Sequence, residues 1–142
     1  VIDSLGVGID RNTLSGEFTF GDAPSGTYFL ALTGKSLIET WSRNPGVTIT
    51  NGAVTNFNFT TSASQAYGNN MILKGSKYCV YSSDINQDGI VDCMDNAIVS
   101  NFAFELFEGY SSADLNGDRI VDADDVIIAE RNSYIYISKI TP

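Results

Sequence analysis

Asp84-Ile-Asn-Gln-Asp-Gly-Ile-Val-Asp-Cys-Met-Asp95 is followed, thirty residues on, by Asp114-Leu-Asn-Gly-Asp-Arg-Ile-Val-Asp-Ala-Asp-Asp125. Both stretches carry side-chain oxygens at positions 1, 3, 5, 9 and 12. Position 7 is apolar in both (Ile90, Ile120), where a backbone carbonyl is enough. A hard divalent cation takes about six to eight oxygens at roughly 2.3–2.6 Å, and a short loop converges that many only at such intervals. One match is weak evidence, but two in register are strong.

The spacing is that of a calcium-binding EF-hand loop, and two loops imply two Ca2+ ions. Gly89 at position 6 suits the positive φ of the turn. Each loop is followed by a short apolar-rich segment, 94–101 and 124–132. Ile98, Val99 and Phe102, then Val126, Ile127 and Ala129 or Glu130, suit short helices with one buried face. The lead-in Lys77-Tyr-Cys-Val-Tyr-Ser-Ser83 is extended in character, and Gly109-Tyr-Ser-Ser-Ala113 is hardly helical. The unit is therefore loop then helix, twice, without the leading helix of an ordinary EF-hand.

The chain of 142 residues is long enough for one ordinary domain or two small ones. It has no apolar run long enough to span a membrane and no signal-peptide pattern. Val1 is not an initiator Met, so a processed protein or part of a longer one is expected. The net charge of −9 argues against a nucleic-acid partner. Much of that charge lies in Asp84, Asp88, Asp92, Asp95, Asp114, Asp118, Asp122 and Asp125, and two divalent ions would offset half of these eight. Histidine is absent, which removes Ser-His and Cys-His nucleophilic machinery and the usual zinc ligands. Cys79 and Cys93 fit either a disulfide or two small apolar residues.

Residues 1–78 read as an antiparallel β-sandwich of the immunoglobulin-like or transthyretin-like kind, and residues 79–142 as the calcium-binding pair. Leu5, Val7 and Ile9 fall on one face, Asp10-Arg-Asn12 reads as a turn, and Phe18 and Phe20 alternate with polar residues. Turn residues Gly21–Gly26 precede the strand Thr27–Thr33. Further turns flank Ser36–Ser42. Asn51-Gly52 between Val47–Thr50 and Val54–Thr60 is the signature of a hairpin. Thr61–Asn70 reads as a polar loop, Met71–Leu73 as a last short strand and Lys74-Gly-Ser-Lys77 as the junction. At strand spacing the aromatic residues Phe18, Phe20, Tyr28, Phe29, Trp41, Phe57 and Phe59 are core rather than a sugar-binding platform. Asn58-Phe-Thr60 matches a glycosylation acceptor.

The loops and the segments after them resemble the dockerin family, a tandem of loop-helix repeats that each bind one calcium ion. The resemblance covers 82–142, and Asp95 and Asp125 at position 12 fit it better than the Glu of EF-hands proper. Ser36-Leu-Ile-Glu-Thr-Trp-Ser42 and Ser64-Gln-Ala-Tyr-Gly-Asn-Asn70 are similar to a sandwich-plus-dockerin unit at the C-terminus of large secreted bacterial surface proteins. That resemblance implies secretion or a bacterial cell-surface location, and a sandwich strand ahead of Val1 whose loss leaves an open edge. It implies Asp84, Asn86, Asp88, Ile90 (carbonyl), Asp92 and Asp95 around one ion. Asp114, Asn116, Asp118, Ile120 (carbonyl), Asp122 and Asp125 would surround the other. Arg119 replaces Gly at position 6, where positive φ costs on the order of 1 kcal/mol, so the second site is expected to be the weaker. Dockerins bind cohesins through positions 10 and 11 and the following helix. Here these are Cys93-Met94 and Ala123-Asp124 in place of the hydroxyl pairs of cellulosomal dockerins. Met94, Ala123 and Asp124 are thus the expected partner contacts.

Three functions are open to such a chain. One is a non-catalytic, calcium-stabilised attachment module with a cohesin-like protein partner. Another is a structural subunit that assembles with copies of itself into a homo-oligomer, fibre or layer, joined by strand addition at an open edge or by Ser133–Ser138. That run is better read as a strand or clasp within its own chain. The third is a glycosidase with paired carboxylates. It is disfavoured, because nearly every Asp is assigned to calcium and Glu17, Glu39, Glu105, Glu108 and Glu130 show no pairing. The chain is expected not to be an enzyme.

Overall fold

The computed structural model describes residues 3–6, 8–10, 12–21 and 23–142. The expected positions of Val7 and Arg11 lie outside them. Among the described residues the strands do not join into two facing sheets. They form four two-stranded antiparallel ladders, paired β1–β4, β2–β3, β5–β6 and β7–β8. The N-terminal part is built on one broken ribbon. β1 (Gly26–Tyr28) pairs with β4 (Val47–Ile49), and β2 (Ala31–Leu32) pairs with β3 (Thr40–Trp41). Between the two ladders the register slips by three residues, and the extra chain bulges out through Arg43–Gly46. Gly46 is required there, since its φ is +108° and a Cβ would lie 2.7 Å from the Tyr28 carbonyl oxygen.

The segment Ser36–Ser42 is the hub of this half. Ile38, Thr40 and Ser42 alternate along it and are all buried, the period of a strand with one interior face. Its neighbours come from across the chain. Leu32 pairs with Thr40 on one side, Ile140 bridges Thr40 in parallel, and the Ile38 N–H donates to the Tyr81 carbonyl.

The Asn51-Gly52 turn is present, with Gly52 at φ +78° and the Ala53 N–H donating to Thr50. The hairpin expected from it is not: β4 pairs with β1 alone, and residues 54–58 form no ladder with it. Residues beyond it coil into three successive 3₁₀ turns, Phe59–Thr61, Ala63–Gln65 and Tyr67–Asn69. Side chains drive this. Asn58 Oδ1 accepts from the N–H and hydroxyl of Thr60, and Ser62 Oγ accepts from the Ser64 N–H, offering the backbone an alternative to a ladder. The junction at Lys74–Lys77 is the turn of a hairpin between β5 (Ile72–Lys74) and β6 (Lys77–Cys79), with Gly75 at φ +60°. A boundary at 78/79 therefore cuts through a ladder. Phe18 and Phe20 stack at 6.4 Å outside any strand. Cys79 and Cys93 are both free thiols, one half-buried in β6 and the other exposed, so the disulfide alternative is not formed.

The C-terminal part follows expectation more closely. Two helices, α1 (Cys93–Phe104) and α2 (Ala123–Ile135), follow the two loops and pack on each other. Ile85, Val99, Ala113, Val121 and Ala129 are their shared core, with Ile98, Phe102 and Val126 against it. Ile127 does not join it, being 52% exposed. β7 (Ile90–Val91), inside the first loop, pairs with β8 (Ile137–Ser138). The end of the chain is thus clasped onto its own first loop. No helix among the described residues is long and apolar enough to cross a membrane.

The hub makes a direct test. Ile38→Ala should destabilise the protein by about 2–5 kcal/mol through a buried cavity, whereas Ile127→Ala should change it by less than about 0.5 kcal/mol. Urea unfolding of the two variants checks both.

Candidate metal centres

Position 12 closes each loop. Asp95 Oδ1 accepts from the N–H groups of Ile85 (2.7 Å) and Asn86 (3.2 Å), and Oδ2 from Asp92 (3.0 Å). Asp125 repeats this with Leu115 (2.7 Å), Asn116 (3.0 Å) and Asp122 (3.1 Å). Both carboxylates are fully buried. Each is also the third residue of its helix, so the same oxygens form a capping box with Asp92 or Asp122. Loop and helix share one anchor.

The remaining positions are equally matched. Asn86 Oδ1 accepts from the Asp88 N–H and its amide donates to Asp88 Oδ2, while Asp88 Oδ1 accepts from Ile90. Asn116, Asp118 and Ile120 make the same three bonds. Asp92 and Asp122 accept from the N–H groups of Met94 and Asp124. Both loops turn through positive φ at positions 4 and 6. The first uses Gln87 (+60°) and Gly89 (+86°), the second Gly117 (+83°) and Arg119 (+76°). Each therefore carries one glycine and one strained residue. The backbone cost expected for Arg119 has a counterpart at Gln87, and strain does not rank the two sites.

Position 1 does distinguish them. In the second loop both Asp114 oxygens are occupied, Oδ1 by the Gly117 N–H (2.7 Å) and Oδ2 by the Arg119 N–H (3.0 Å). In the first, Asp84 Oδ2 accepts from Gly89 at 3.2 Å, but Oδ1 is buried without any partner. Burial pushes the Asp84 carboxyl above its ordinary range. The Asp95 and Asp88 carboxylates add to this, against the N–H groups of Gly89 and Gln87.

Among the described residues no three acidic, histidine or cysteine side chains are drawn together tightly enough to hold a metal ion. The carboxylates are committed to backbone N–H groups instead, though a carboxylate offers about four lone-pair sites and these bonds leave some free. In the first loop the donor set fits calcium: all oxygen, with one buried carboxylate oxygen unmatched. In the second the fit rests on the identical set of donors. The expected partner residues Met94, Ala123 and Asp124 are exposed on the first turns of α1 and α2.

Residues the sequence did not flag also reach the loops. Gln87 Nε2 donates to the Asp84 carbonyl (2.7 Å) and the Lys35 carbonyl (3.4 Å). The Lys35 ammonium lies 3.1 Å over the Tyr110 ring. Burial pushes its pKa down while the Asp114 carboxylate pushes it up. Lys35 and Ser36 belong to no motif, and a contact of such sequence separation leaves no local trace. Comparison with protein-family models, with curated proteins and with solved structures gives no match.

Asp84→Asn should raise the melting temperature of calcium-free protein at neutral pH by a few degrees, for about 1 kcal/mol of relieved burial. A raised folded-state pKa favours folding below it, and that contribution is lost as pH rises through it. The gap between variant and wild type should therefore begin to close on acidification at the raised folded-state pKa, above the ordinary carboxylate range, and be gone below the unfolded-state value. Thermal unfolding in chelator at several pH values reads this out. A variant less stable than wild type at neutral pH would show that the Asp84 carboxylate is already satisfied.

Proposed function

We propose that the chain is a non-catalytic calcium-binding module, extracellular and bacterial, that attaches or assembles proteins at the cell surface. The observation that carries this reading is the repetition of one hydrogen-bonding scheme in both loops. Asp95 and Asp125, Asn86 and Asn116, and Asp88 and Asp118 make equivalent bonds thirty residues apart. The unmatched Asp84 oxygen adds to it.

On this reading Asp84, Asn86, Asp88, Asp92, Asp95 and the Ile90 carbonyl hold one Ca2+. Asp114, Asn116, Asp118, Asp122, Asp125 and the Ile120 carbonyl hold the other. Bound calcium supplies positive charge against four carboxylates in each loop. The protein's own part is to hold those oxygens on a closed loop and pass that order to a helix. The helices then present Met94, Ala123 and Asp124 to a protein partner, and this pairing is dockerin-like in kind. With Cys93-Met94 and Ala123-Asp124 in place of hydroxyl pairs, the partner would meet an apolar pair on one helix and a carboxylate on the other.

Self-assembly is the second reading. It is favoured by Tyr134, Ile135 and Tyr136, which are 92%, 48% and 64% exposed, and by ladders of two strands that leave edges unpaired. The intrachain pairing of Ile137 and Ser138 weighs against it.

Titration calorimetry and sedimentation velocity, in calcium and in chelator, test both readings. Two ions per chain and a compact monomer that expands on chelation are expected of the attachment module. Calcium-dependent polymers would favour the structural subunit, and an absence of any calcium response would overturn the calcium reading.

A further inference from the structure

We infer that the first loop is the calcium-controlled joint that holds the N-terminal half of the chain onto the helical half, a role the second loop does not share. The inference rests on the calcium reading above. The Ser36 carbonyl accepts from two N–H groups at the start of the first loop, Ser83 at 2.7 Å and Asp84 at 3.1 Å. Leu37 bridges Ser82, and the Ile38 N–H donates to Tyr81 at 3.0 Å. From the far side, the Lys139 N–H donates to the Gly89 carbonyl at 2.8 Å. Asn132 of α2 donates to the hydroxyls of Ser82 (3.2 Å) and Ser83 (3.0 Å). The C-terminal tail then returns to the N-terminal half, through the Ile140 bridge to Thr40 and the Ser138 carbonyl accepting from Asn70 at 3.0 Å.

The equivalent bonds of the second loop stay local. Ile120 bridges Glu108, the Val121 N–H donates to Phe107, and the Gly109 N–H donates to Arg119. From the N-terminal half, the Lys35 ammonium approaches this region over the exposed Tyr110 ring.

Asp84 carries the coupling. Its N–H is bound by Ser36 while its carboxylate stands at position 1 of the loop, 2% exposed and with one oxygen unpartnered. Asp114, at the same position of the second loop, is not fully buried and has partners for both oxygens. A buried carboxylate oxygen that no N–H or O–H group reaches needs a cation or water. With a cation in the loop, the docked arrangement satisfies Asp84. Without one, Asp84 is rehydrated by undocking, which releases the amides of Ile38, Ser83 and Asp84.

Native-state hydrogen exchange on the whole chain in calcium tests this, with Asp88→Ala and Asp118→Ala as matched changes at position 5 of each loop. Asp88→Ala should raise exchange at the Ile38, Ser83 and Asp84 amides by roughly tenfold or more while sparing Gly109 and Val121. Asp118→Ala should do the opposite. Calorimetry on the same samples keeps two failures apart. No calcium binding by wild type overturns the underlying reading. Two ions in wild type, with crossing amides equally protected in both variants, overturns the joint. Should Asp88→Ala not fold, Asp88→Asn keeps the side-chain size, and the same contrast decides.

Discussion

Two buried aspartates hold the helical half together. Asp95 and Asp125 each accept three backbone N–H groups, two from the start of their own loop and one from the helix N-cap. A carboxylate bound in this way is stabilised where an unpaired one would be expelled. It also ties residues about ten apart in sequence into one turn. Helix start, loop closure and the burial of Val91 and Val121 just before each N-cap follow from that anchor. The core that results is small. Its buried members are one isoleucine, two valines and two alanines, and such a core supplies little free energy against the ordering of some sixty residues. Contact with the N-terminal half is one source available to make up the difference, and the calcium proposed for the loops would be another.

The loops also show how one geometry tolerates two sequences. Positions 4 and 6 must both turn left-handed, and glycine relieves each at no steric cost. Each loop has a glycine at one of them and accepts strain at the other, Gln87 in the first and Arg119 in the second. Gln87 recovers part of that cost, because its side chain bonds the Asp84 and Lys35 carbonyls. What separates the loops is their surroundings. Gly89 lies under the Lys139 side chain, where a Cβ would approach within 2.7 Å of Cδ, while nothing lies within 4 Å of the Cβ position at Gly117.

The helical half was legible because its determinants are local. Acidic N-caps, the oxygen spacing and the apolar positions after each loop all lie within single repeats, and Val99 and Ala129 are buried where the helical period puts them. The pattern overreached at Ile127, since a helix of this length needs only a narrow apolar stripe against one neighbour. The N-terminal half was legible by segment and misread by pairing. Tyr28, Thr40 and Val47 lie in strands as expected, yet Asn51-Gly52 does not join its flanking segments. Turn chemistry can favour a reversal, but it does not by itself pair the segments on either side, and β4 pairs with β1 instead. Asn58, placed in a strand by the sequence and matched to a glycosylation acceptor, and Ser62, placed in a loop, cap 3₁₀ turns.

The least legible feature is the one on which the two halves depend. Ser36–Ser42 alternates buried Ile38, Thr40 and Ser42, and two of those three are hydroxyl residues. Hydropathy alone marks it weakly. Thr40 and Ser42 are tolerated inside because their hydroxyls are bonded, Thr40 to the Ile38 carbonyl and Ser42 to the Leu30 N–H. A strand whose interior face is half polar gains less from burial than an aliphatic one, so its position must come from what pairs with its backbone. Those partners are β2, Tyr81–Ser83 and the C-terminal Ile140. The N-terminal half is thus organised by a strand that the helical half helps to hold in place, and the order of each half becomes a condition on the order of the other.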